Sequence, residues 1–122
     1  MCFFNANKVT GGHQISEVEQ LSKEERIKRQ EAYEAEIKRF NDGHDKHRYD
    51  FTHNVKTSDD FEHFNALLQE DINYVNNSNW REEKKQEWHK NYNYYISKCK
   101  PTILANLKKV LDKEEKMNNK YN

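Results

Sequence analysis

The sequence predicts an all-α fold: a small helical bundle of three long helices plus a shorter C-terminal helix, with an irregular N-terminal arm. Three observations carry that expectation. Apolar residues recur at spacings of three and four in several separate stretches, which is the period of one face of an α-helix. Residues suited to helix capping stand where those stretches begin. The chain is thinly apolar, yet its 21 basic and 21 acidic residues cancel, and seven tyrosines, six phenylalanines and two tryptophans supply bulk. Low net charge with that aromatic content points to a folded domain rather than a disordered chain.

Residues 1–21 show no sustained period. Cys2, Phe3 and Phe4 form a small apolar cluster expected to pack as an arm, and Gly11-Gly12 reads as a turn. The first helix opens at Ser22-Lys23-Glu24-Glu25, a capping box in which each side chain satisfies the other residue's free amide. Tyr33, Ile37 and Phe40 share one face, and Gly43 is read as a stop, leaving residues 41–56 as a loop.

A second helix is expected from Thr57 or Ser58, with Asp59 and Asp60 favoured by the helix dipole and a core stripe of Phe61, Phe64, Leu68, Ile72 and Val75. Asn76-Asn77 ends it. The third is expected from about Asn79 to Cys99, burying Trp88, Tyr92, Tyr95, Ile96 and Cys99. Lys100 precedes the only proline, a position driven away from helical geometry, so the chain should turn a corner there. Pro101 then opens a fourth helix that buries Ile103, Leu104, Leu107, Val110 and Leu111. The domain is expected to span 22–118, with 119–122 as a frayed tail.

Charge and composition exclude several function classes. No run approaches the ~18 apolar residues of a membrane span, and no charged segment followed by an apolar one opens the chain. A cytoplasmic protein with reduced thiols at Cys2 and Cys99 is the expectation. Lys and Asn are abundant while Ala, Gly and Pro are scarce, the mark of an A/T-rich genome such as that of a low-GC bacterium, its phage or another mobile element. If phage-encoded, the protein would act in the host cytoplasm. Net charge is −4 over residues 51–79 and +5 over 80–122, an asymmetry that suits pairing within the chain or with oppositely charged partners.

Four candidate sites follow. His44, His47, Asp50 and His53 offer imidazole and carboxylate donors that suit zinc, although Lys46 and Arg48 oppose a cation there and the spacing matches no zinc motif. Asp59-Asp60 with His63 sets a carboxylate one turn from an imidazole, which general base catalysis can use but a dipole-compensated helix start explains more simply. Trp80, Arg81, Lys84, Lys85, Trp88, Lys90, Tyr92 and Tyr94 interleave bases with aromatics, the ingredients of single-strand binding, without forming a continuous basic stripe. Trp80 and Tyr94 fall roughly 100° and 145° off the core stripe of a third helix. With Arg81 and Lys84 they form the preferred candidate, a partner-binding surface.

No nucleophile elbow or phosphate-cradling glycine loop is present. The expectation is therefore a non-enzymatic protein-interaction module without a cofactor: an adaptor, assembly component or inhibitor. A nucleic-acid-binding role for segment 80–100 and a metal-binding role for residues 44–53 are the alternatives.

Overall fold

The structure, a computed structural model, describes residues 22–121. Among these residues it is all-helical: α1 (Lys23–His53), α2 (Ser58–Asn77) and α3 (Glu82–Tyr121). The expected arm at 1–21 lies outside the described residues. The chain divides into two compact units, Met1–Arg39 and Phe40–Asn122, with the boundary inside α1.

In the first unit the capping box is present. The Glu25 amide donates to Ser22 Oγ at 3.1 Å, and the Ser22 amide donates to Glu25 Oε1 at 3.4 Å. From Lys23 to Arg29 every residue is exposed, and Ile37 is the first buried one.

The second unit contains the remainder of α1, all of α2 and all of α3. Hydrogen bonds fix the directions of these segments. Asn41 Oδ1 accepts from Trp88 Nε1, while farther along α1 the Thr52 carbonyl accepts from Asn106 Nδ2, so these segments run parallel. Asn76 meets His89, and the Ser58 amide donates to Glu114 Oε2, so α2 and α3 run antiparallel. Leu68 and Val75 of α2, Phe51 of α1, and Trp88, Ile103 and Val110 of α3 are buried.

Two expected breaks are absent. Residues 41–53 are helical rather than a loop, and α1 passes through Gly43 without a stop. The reason is burial beyond the glycine: His44, Phe51 and Thr52 continue the apolar face, and tertiary packing outweighs a local penalty of about 1 kcal/mol. A Cβ built at Gly43 meets nothing within 4 Å. Gly43→Ala should therefore raise stability by about 0.5–1 kcal/mol, measured by urea unfolding. A loss instead would show that position 43 is not in regular helix.

The second absent break is Lys100-Pro101. Here α3 runs through Pro101 to Tyr121, so there is no separate fourth helix, and the expected frayed tail at 119–122 is helical as far as Tyr121. Pro101 leaves the Ser97 carbonyl without its helical donor, but Ser97 and Pro101 are exposed, where water can serve that carbonyl. The continuous helix has a consequence for packing. Without a corner, Leu104 and Leu111, expected in the core, are 51% and 48% exposed.

α2 follows expectation closely. Thr57 is its N-cap and forms a capping box with Asp60, and Ser78 closes it by donating to the Val75 carbonyl. α3 begins at Glu82, not Asn79, which leaves Trp80 in the connection between helices.

Candidate functional site

Two features of the second unit can carry chemistry or recognition. The first is a buried polar cluster. His44 and His47, one turn apart on α1, both place Nδ1 2.7 Å from the same oxygen, Oδ2 of Asp71 on α2. His44 and Asp71 are buried, whereas His47 is partly open to solvent. Rings enclose His44: Trp88 at 4.7 Å, Tyr92 at 5.8 Å and Phe40 at 6.2 Å between centroids.

With a proton on each Nδ1, both imidazoles donate to one carboxylate oxygen. Burial alone would push the Asp71 carboxyl up. The hydrogen bonds from His44 and His47, together with the attraction of those two rings, outweigh burial and hold it below its ordinary value. Burial also raises the Tyr92 hydroxyl, with Tyr95 and Asp71 nearby adding to the effect. The Tyr95 hydroxyl donates to the Arg48 carbonyl at 2.9 Å, and the Arg48 guanidinium lies 4.8 Å above the Tyr95 ring.

This arrangement redistributes the expected metal ligands. His44 and His47 turn to Asp71, Asp50 accepts from Lys46 at 2.9 Å and Asn54 at 2.7 Å, and His53 lies against the Tyr49 ring. The four residues are not brought together. No three His, Cys, Asp or Glu side chains among the described residues are placed to share a metal. Beside His44 a cleft of about 240 Å³ is lined by Asn41, Arg48, Trp88, Asn91 and Tyr92. Arg48 on its rim is already paired with Asp45.

The acid–base candidate also resolves into structure. Asp60 serves the cap of α2, accepting from the Lys56 and Thr57 amides, and the His63 ring lies tilted beside Phe64 at 5.6 Å.

The second feature is the outer face of α3. Tyr94 is 64% exposed, and Lys98 Nζ sits 5.8 Å above its ring. Leu104 and Leu111, farther along α3, are also exposed.

Trp80, expected to share this surface, does not. It is only 4% exposed and packs edge-on to Phe40 at 5.4 Å and to Tyr74 at 6.2 Å. Trp80 departs from its helical-wheel position because it precedes α3 and obeys no helical period. Its indole N–H is buried without a hydrogen-bond partner among the described residues. Arg81, just before α3, and Lys84, in its first turn, are exposed, Lys84 pairing with Glu87 at 3.2 Å. Trp88 and Tyr92, candidates for stacking on bases, are stacked on each other in the core at 5.6 Å.

No family model, curated protein or solved structure matches this chain. No helix among the described residues is long and apolar enough to cross a membrane.

Proposed function

We propose that this protein is a non-catalytic helical module that docks on a partner protein, as an adaptor, assembly component or inhibitor. One observation supports the reading above others: Tyr94, Leu104 and Leu111 are exposed apolar side chains on one helix that buries Trp88, Tyr92, Ile103 and Val110 on its other side. Aromatic and aliphatic side chains exposed in this way contribute little to the free protein but can fill desolvated pockets on a partner. Tyr94, with Lys84 in the first turns of the same helix and Arg81 just before it, remains in the proposed surface. Trp80 leaves it because it is buried. The cytoplasm is the proposed setting, that of the host if the gene belongs to a phage.

Nucleic-acid binding through segment 80–100 is the weaker reading. Its aromatic component is largely spent, since Trp80, Trp88 and Tyr92 are core residues.

The test is affinity capture from the source cell using the full chain, with and without nuclease, beside a Leu104→Asp/Leu111→Asp variant. The docking reading expects one protein recovered regardless of nuclease and lost with the variant. The variant's own stability should change by only about half a kcal/mol per site, as for other exposed positions. Recovery that depends on nuclease, or that survives the variant, would overturn it.

A further inference from the structure

Building on that docking reading, we infer that the exposed row of α3 takes an amphipathic helix of a partner protein, one whose apolar stripe is bordered by Asp and Glu. The shape of the row comes first. Tyr94, Ser97, Pro101, Leu104, Lys108 and Leu111 are all exposed and follow alternating spacings of three and four. That spacing is the seam of two helices lying side by side. From Tyr94 to Leu111 the row extends about 26 Å at the helical rise, enough for several turns of a partner helix.

The charge around the row identifies the partner's chemistry. Between Trp88 and Leu111 the sequence holds five lysines and no Asp or Glu. Lys90, Lys98, Lys100 and Lys109 are exposed and have no carboxylate partner among the described residues. Lys108 is the exception, held by Asp112 at 3.2 Å. By the 100° helical step, Lys98 and Lys100 fall on opposite sides of the row. These margins select an opposite sign on the incoming helix.

Other occupants fit less well. A second copy would bring two lysine-bordered margins together, so both surfaces would carry the same sign. Nucleic acid matches the sign but makes no use of Leu104 and Leu111.

The inference is tested by fluorescence anisotropy with the full chain and three labelled probes. One is a helical peptide with leucines at seam positions and Glu at the margins. The second keeps that seam but carries Lys at the margins. The third is a single-stranded oligonucleotide. The Glu-margined peptide should bind more tightly than either other probe by roughly tenfold or more at low salt, and the preference should shrink as salt rises. Leu104→Lys adds positive charge yet should weaken that peptide, with the melting temperature nearly unchanged. Lys98→Glu/Lys100→Glu should reverse the preference between peptides.

Equal binding of both peptides, binding of neither, or tighter binding of the oligonucleotide would overturn the inference. So would a dimer of this chain that Leu104→Lys dissociates. If neither peptide binds while the captured protein is still lost with Leu104→Asp/Leu111→Asp, docking stands and the acidic helix falls. If the captured protein is retained as well, both fall.

Discussion

Trp80→Ala should destabilise the protein by about 3–5 kcal/mol, the range for truncating a buried aromatic side chain. Although it sits outside any helix, Trp80 is buried against Phe40 of α1 and Tyr74 of α2, and so links the α2–α3 connection to two elements. Trp88→Ala should cost a similar amount. Trp88 is 7% exposed, stacks on Tyr92 and donates Nε1–H to Asn41 at 3.0 Å. Trp80→Phe should lose much less than Trp80→Ala, because it keeps a ring in the cluster and removes an unpartnered N–H. Urea unfolding of the three variants checks this ordering. A Trp80→Ala protein as stable as wild type would place that indole at the surface.

Asp71→Ala is the second large effect, expected at about 3 kcal/mol. It strips the acceptor from two imidazole N–H groups, each worth about 1.5–3 kcal/mol when the partner is charged. The sum is discounted because the His47 side chain is 29% exposed and can turn to water. Asp71→Asn should fall between alanine and wild type, since one amide oxygen still accepts.

The same residue sets a pH dependence. The Asp71 carboxyl is held below its ordinary value in the folded state, so its contribution is fully present above the unfolded value of about 3.9. That contribution is lost as pH falls through the lower folded value. The stability gap between wild type and Asp71→Asn should therefore close at acidic pH. A gap that stays constant down to about pH 2 would show that Asp71 gains nothing from its two histidines.

The legible parts of the fold were those written in local chemistry. Ser22 with Glu25, and Thr57-Ser58 ahead of the dipole-favoured Asp59-Asp60, marked two helix starts, and the Leu68–Val75 stripe marked the buried face of α2. The misread parts were Gly43 and Pro101, where local penalties of about 1 and 3 kcal/mol compete with burial on both sides. His44 and Phe51 continue the spacing set by Phe40, a signal that extends α1 across Gly43. Asp71 lies between Leu68 and Val75 on an apolar stripe, which is the sequence mark of a buried carboxylate. Its pairing with His44 and His47 spans 27 and 24 residues, and no local pattern reports that. Leu104 and Leu111 read as core only because a corner at Pro101 would have folded a helix onto them.

The docking face is tested most directly by side-chain carbene footprinting of the protein, free and in complex with its captured partner. In the free protein Tyr94, Leu104 and Leu111 should label strongly, while buried Leu68 and Val75 should not. In the complex, labelling should fall at Tyr94, Leu104 and Leu111 and persist at the exposed Tyr49 of α1. Unchanged labelling along α3, with protection at Tyr49 instead, would contradict the account and move the docking surface to another helix.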